Sequence, residues 1–216
     1  MLLVAERHIS RKKLEMMIEK LLPHPSPEVM LEQYTIDAAA AANVLYISAH
    51  VYNDIDGRLV YDLGCGSGRL ALGAVILGAR YIVGIDIDTL AIETAIENSM
   101  SLGLSDRTNW IISDIDCVGG KADTVIQNPP FGVQVRGTDI RFLEKAIKIS
   151  RVTYSLHKRN ENTRRFIKEI AERHDGVVDN IIEMSMVIPH LFNFHYKKHY
   201  VVEVDLYRIK SKGGFK

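Results

Sequence analysis

The stretch Leu59-Val60-Tyr61-Asp62-Leu63-Gly64-Cys65-Gly66-Ser67-Gly68 is a short apolar run that stops in three alternating glycines. An apolar run without strict alternation suits a strand buried on both faces. Glycines let the backbone adopt φ > 0 and come close to a ligand. Leu70–Leu77 then reads as a helix stopped by Gly78. The same unit recurs downstream. Tyr81–Ile85 is a strand ending in Asp86, followed by a helix over Thr89–Leu102 closed by Gly103. Asn109–Ile112 is a strand ending in Asp114, and Thr124–Gln127 one ending in Asn128-Pro129-Pro130-Phe131. A helix over Arg141–Ile149, a strand over Val152–Leu156 and a helix over Asn162–His174 continue the pattern. Strand–helix alternation predicts a parallel sheet covered on both faces. The last two strands, Val178–Val187 and Tyr200–Ile209, have no helix between them and alternate better, as an antiparallel pair does. The expected fold is α/β: a doubly wound, mostly parallel seven-stranded sheet with its last strand antiparallel.

Upstream, Leu14, Met17, Ile18 and Leu21 fall at helical spacing behind Ser10, a good N-cap. Pro23-His24-Pro25-Ser26-Pro27 ends that helix, because no helix crosses such a run. A second helix is predicted over Asp37–Tyr52, with a turn at residues 53–57. Residues 1–53 are therefore expected to form a helical extension packed on a core of residues 54–216, the whole behaving as one domain.

Composition sets outer bounds. A chain of 216 residues that is 47% hydrophobic and 25% charged is not disordered. No apolar run approaches the roughly 18 residues of a membrane span. Cys65 and Cys117 fit no zinc spacing, so no metal site is expected. With no secretory pattern in the first residues, free thiols and a cytoplasmic location are expected. Lys+Arg and Asp+Glu both total 27, so net charge neither supports nor excludes nucleic acid. The distribution is more telling. Residues 54–139 hold twelve acids and six bases, whereas residues 151–174 hold seven bases and three acids, and residues 190–216 six bases and two acids. A cationic rim around an acidic pocket would give this pattern.

In an open α/β sheet, ligands sit at the carboxyl ends of the strands, near the point where strand order reverses. Gly64–Gly68, Asp86, Asp114 and Asn128–Phe131 all fall at such ends. The glycine spacing is G-x-G-x-G, not the dinucleotide fingerprint G-x-G-x-x-G. Asp86 is placed to accept both ribose hydroxyls of an adenosine, and Asp114 its adenine amine, with Ile87 and Ile115 on the ring faces. Asp62, just before the turn, would repel a pyrophosphate and attract an ammonium. The set favours S-adenosylmethionine as cofactor. In Asn128-Pro129-Pro130-Phe131 the prolines stiffen the loop and leave the Asn128 side-chain oxygen and the Pro129 carbonyl free as acceptors. Two acceptors on the N–H groups of a planar amine localise its lone pair for in-line attack on a sulfonium methyl, and Phe131 can stack on a flat substrate.

At these residues the chain resembles the class I, N-P-P-F type of S-adenosylmethionine-dependent methyltransferase. Further motifs narrow the resemblance: Glu32-Gln33-Tyr34, Gly132, Gly137-Thr138-Asp139, Phe142-Leu143, Ser155-Leu156-His157-Lys158, Phe194-His195, and Glu203-Val204-Asp205-Leu206. Together they resemble the small-subunit ribosomal RNA adenine-N6 methyltransferase family in its archaeal form, from about Leu31 to Ile209. The resemblance implies that Gln33 and Tyr34 close over the cofactor. It implies that Gly64, Gly66, Ser67 and Arg69 line its methionine side, and that Asn128, Pro129, Pro130 and Phe131 are catalytic. It also implies a small zinc-binding activator subunit as partner, for which the edge strand carrying Trp110 is the expected docking place. Arg136, Lys158, Arg159, Lys197 and Lys198 are the candidate RNA phosphate contacts. A glutamine-N5 protein methyltransferase of the N-P-P type and a non-catalytic, cofactor-binding rRNA-docking protein are the alternatives.

Overall fold

The computed structural model describes residues 9–132, 134–189 and 199–213. Seven strands form one sheet: β1 (Leu59–Leu63), β2 (Tyr81–Asp86), β3 (Thr108–Ile112), β4 (Ala122–Gln127), β5 (Ser150–Lys158), β6 (Gly176–Pro189) and β7 (His199–Ser211). Their spatial order is β3-β2-β1-β4-β5-β7-β6. Strands β1 to β5 pair in parallel, while β7 runs antiparallel between β5 and β6. The chain moves outward from β1 to β3 and then returns to β4 on the other side of β1. The crevice between the carboxyl ends of β1 and β4 is thus the switch point that receives ligands in such sheets.

The helices are α1 (Arg11–Glu19), α2 (Ala38–Tyr46), α3 (Arg69–Ile76), α4 (Thr89–Ser101), α5 (Thr138–Ile149) and α6 (Glu161–Arg173). Their starts follow from capping chemistry. The side chains of Ser10, Asp37, Asp88 and Asn160 each accept a backbone N–H of the first turn of α1, α2, α4 and α6. Helix α2 widens into a π-type turn over Ile47–Val51. Helix α5 begins three residues before the expected Arg141, behind Gly137 in the left-handed region at φ 86°. Leu14 and Ile18 of α1, and Ala41 and Leu45 of α2, share one buried cluster with Val60, Ile82 and Ile126 of the sheet. At Gly73 of α3 an added Cβ would sit 2.3 Å from Leu45 Cδ1, so only glycine lets α3 approach α2 this closely.

β3 lies at an edge of the sheet, as expected, and carries Trp110. Its ring is packed inward: a Cβ at Gly84 or Gly68 would lie 2.4 or 2.8 Å from it. The exposed apolar groups of this edge are instead Ile111 and Ile112, 37% and 54% accessible. No described helix is long and apolar enough to cross a membrane.

Candidate active site

A cavity of about 320 Å³ opens at the switch point, roofed by the segment His24–Ile36 that crosses from α1 to α2. Its floor is the glycine loop, with Gly64, Gly66 and Gly68 at φ 68°, 52° and 83°. Gly64 N–H and Cys65 N–H both donate to the Ile85 carbonyl, at 2.8 and 3.0 Å, which pins the loop to the end of β2. Asp86 Oδ2 accepts Gly66 N–H at 2.8 Å, and its Oδ1 accepts Asp88 N–H at 3.0 Å. Burial raises the Asp86 pKa, and those backbone bonds oppose the rise.

Asp62 is 1% exposed. Its Oδ2 accepts Ala71 N–H at 2.9 Å, whereas Oδ1 is buried without a hydrogen-bond partner. An unsatisfied buried carboxylate oxygen is costly unless a ligand completes it. Burial, with a smaller push from Asp86, moves this carboxyl up to about 8. Below that pH it is largely protonated, so seating an ammonium beside it must release the proton. Cofactor affinity is therefore expected to rise several-fold between pH 6 and 8, and Asp62→Asn to flatten that rise. Titration calorimetry across this range checks it; an equal slope in both proteins would remove Asp62 from the ammonium site.

At the β3 end of the cavity, Asp114 Oδ1 accepts Asp116 N–H at 2.8 Å and also a bond from Arg141 Nη2, while Arg141 Nε donates to Asp116 Oδ2 at 2.8 Å. The Arg141 guanidinium holds Asp114 below the usual carboxylate range. Ile87 and Ile115 line the same cavity, with Gln33, Tyr34, Ser67, Arg69, Asn128 and Pro130. Arg69 lines the cavity while its guanidinium is tied to backbone, Nη1 donating to the Ile36 carbonyl at 2.9 Å and Nη2 to the Leu21 carbonyl at 3.5 Å.

The roof is latched on an acid that the sequence did not single out. Asp88 Oδ2 accepts Gln33 Nε2 at 2.7 Å and lies 2.9 Å from His24 Nε2. His24 Nδ1 accepts Ser26 N–H at 3.1 Å, so Nε2 carries the proton toward Asp88. The signal for Asp88 was available as a helix N-cap directly before Thr89; its second role needs the fold. Arg141 was likewise missed, because a basic residue inside a helix carries no pattern of its own.

Asn128 follows β4, and Tyr34 Oη donates to its Oδ1 at 3.3 Å. The Tyr34 ring lies 5.7 Å from Phe131, and Lys158 Nζ sits 5.4 Å from the centroid of that same ring. Beneath the motif, Gln127 Nε2 donates to Ser155 Oγ at 2.9 Å, and Ser155 Oγ meets His157 Nε2 at 2.8 Å. His157 Nδ1 faces Asp139 Oδ2 at 3.7 Å. The Gly137-Thr138-Asp139 and Ser155–Lys158 motifs therefore converge under the Asn-Pro-Pro-Phe loop. Of the proposed RNA contacts, Arg136 and Lys158 are exposed, the latter over the Phe131 ring, which itself is not among the residues that line the cavity. Arg159 is spent inside the protein, on Asp205, Glu183 and Glu203. Lys197 and Lys198 lie outside the described residues.

A glycine loop after β1, acids at the ends of β1, β2 and β3, and Asn-Pro-Pro-Phe after β4, set on this strand order, define a class I S-adenosylmethionine-dependent methyltransferase. The orphaned Asp62 oxygen and the glycine cradle fit that cofactor's ammonium and backbone approach. Comparison with known proteins carries this further. The chain is 35% identical over 203 residues to the rRNA N(6)-adenosine-methyltransferase METTL5 of Danio rerio, covering 91% of this chain and 97% of the relative. It is 34% identical over 206 residues to that of Drosophila melanogaster, covering 92% and 95%. The crystal structure of PH1948 from Pyrococcus horikoshii superposes with a TM-score of 0.87 at 36% identity, over 94% of this chain and 99% of that one. The family model for ribosomal protein L11 methyltransferase (PrmA) matches residues 45–129 alone. The chain belongs to the METTL5 family of rRNA N6-adenosine methyltransferases.

Proposed function

We propose that the protein transfers a methyl group from S-adenosylmethionine to the N6 amine of an adenine in ribosomal RNA, that of the small subunit, as the archaeal form of this family. The carrying observation is Asn128, which lines the cavity at the switch point and whose Oδ1 accepts Tyr34 Oη, with the Phe131 ring against Tyr34 and under Lys158. The cofactor, when bound, supplies an electrophilic methyl. Asp86 takes the ribose, Asp114 the adenine amine, and Asp62 the ammonium. Asn128 Oδ1 and the Pro129 carbonyl accept the two N–H groups of the target amine, which turns its lone pair toward the methyl. No strong base is needed, since the nitrogen becomes acidic as it is methylated. Phe131 stacks on the target base, which must be unpaired or flipped out to reach a pocket at strand ends. Arg136 and Lys158 meet phosphates near that mouth.

Methylation of a protein is less favoured. The L11 methyltransferase match ends at Pro129, so it spans the cofactor half and leaves the part from Phe131 onward unaccounted for. The METTL5 relatives cover both halves. The test is incubation with labelled S-adenosylmethionine and separated ribosomal subunits. Label recovered as N6-methyladenosine from small-subunit RNA is the expected result, and label in protein would overturn it.

The zinc-binding activator implied by the resemblance is proposed to add a strand along β3. Support comes from the edge itself: Ile111 and Ile112 are exposed. An uncovered apolar edge invites pairing with another chain. Ile112→Lys is expected to abolish co-purification with such a subunit while shifting the melting temperature of the chain alone by less than about 2 °C. Undiminished co-purification would move the interface elsewhere.

A further inference from the structure

We propose that Tyr34 is a positioning residue for methyl transfer: its hydroxyl fixes the carboxamide of Asn128, so that closure of the roof over the cofactor also arms the acceptor of the target amine. This rests on the reading of Asn128 given above. The resemblance assigned Tyr34 to the cofactor; the geometry assigns its hydroxyl to Asn128 Oδ1, at 3.3 Å.

The argument begins with the torsion that Asn128 must control. The terminal torsion of an asparagine is broad, with two amide orientations of similar energy. Only one of them turns Oδ1 toward an incoming N–H; the other opposes it with the amide's own N–H groups. The stiff prolines that follow fix the backbone but not this side-chain torsion. A donor on Oδ1 selects the orientation and leaves the oxygen's second lone pair for the amine. Burial raises the Tyr34 pKa, so the hydroxyl keeps its proton and remains a donor. The distance is long for a hydroxyl bond, as is common in catalytic sites before substrate is seated; such bonds tighten in the loaded complex.

Tyr34 is itself held in place. Its neighbour Gln33 is bound to Asp88 at 2.7 Å, and the Asp88 N–H is bound to Asp86 at 3.0 Å. The Tyr34 ring packs on Phe131. One short segment thus runs from the acid that would hold the ribose to the atom that would activate the amine. Among the described residues no other group bonds to Asn128 Oδ1.

Tyr34→Phe removes the hydroxyl and keeps the ring. With ribosomal RNA as substrate, kcat is expected to fall about five- to tenfold, the size of one neutral hydrogen bond. The dissociation constant for S-adenosylmethionine and the melting temperature should stay at wild-type values. The same change is then made beside Asn128→Asp and read by single-turnover methylation. A carboxylate presents an acceptor in either orientation, so there the loss should shrink to less than about twofold. Wild-type kcat in Tyr34→Phe, or a parallel loss of cofactor affinity, or an equal loss in both backgrounds, each overturns the proposal. If wild-type enzyme leaves RNA unlabelled, it is the functional reading that fails and not this one.

Discussion

Asn128→Ala is expected to lower kcat about 10²–10³-fold while leaving S-adenosylmethionine affinity within about twofold, the scale found when one preorganised charge-stabilising group is removed. The cofactor contacts proposed here run through Asp62, Asp86 and Asp114, none of which bonds to Asn128. The loss therefore belongs to the chemical step. Asn128 is partly exposed to the cavity and its Oδ1 takes one bond, from Tyr34, so truncation empties little core and the fold should survive. Single-turnover methylation of RNA, with calorimetry for the cofactor, separates the outcomes. Near-wild-type turnover would end the amine-activation argument. A matching fall in cofactor affinity would place Asn128 in the binding site instead.

Much of this arrangement was legible in the amino-acid order, and for a definable reason. β1 is recovered to the residue, and β2, β3 and β4 within two residues, because these parallel strands are short, apolar and stopped by glycine, proline or aspartate. The site residues sit at those same stops, so finding the strand ends also found Asp62, Asp86, Asp114 and Asn128. What the sequence left hidden is whatever depends on contact between distant segments. Trp110 reads as an exposed edge residue until Gly84 and Gly68 are seen beneath it, each needed because the indole occupies the place of a Cβ. Arg159 reads as a surface cation until Asp205, wholly buried, is found opposite it. The β6–β7 hairpin runs past the predicted Val178–Val187 and Tyr200–Ile209, because antiparallel pairing continues through Gly176 with Ser211 and Val177 with Lys210 at one end and through Ile188 with Tyr200 and Pro189 with His199 at the other. The latch of Asp88 on Gln33 and His24 joins residues up to 64 apart, and no local pattern announces it.

Asp86→Ala is expected to weaken S-adenosylmethionine binding about ten- to a hundredfold. A carboxylate that accepts hydroxyl hydrogens in a water-poor site makes charge-assisted bonds worth roughly 1.5–3 kcal/mol. Two backbone N–H groups, from Gly66 and Asp88, already hold the carboxylate at 2.8 and 3.0 Å, so it is aimed before ligand arrives and little ordering entropy opposes binding. The same bonds set a limit on the substitution. Gly66 N–H loses its acceptor, which is expected to cost stability on the order of 1–3 kcal/mol if that group stays buried. Asp86→Asn separates the two effects: an amide oxygen can still serve one backbone donor, but the charge is gone. Calorimetry should show both variants weakened toward the cofactor, with the alanine variant alone melting markedly lower. Affinity unchanged in Asp86→Asn would mean that the acid serves the glycine loop only, and the ribose would have to be held from elsewhere in the cavity.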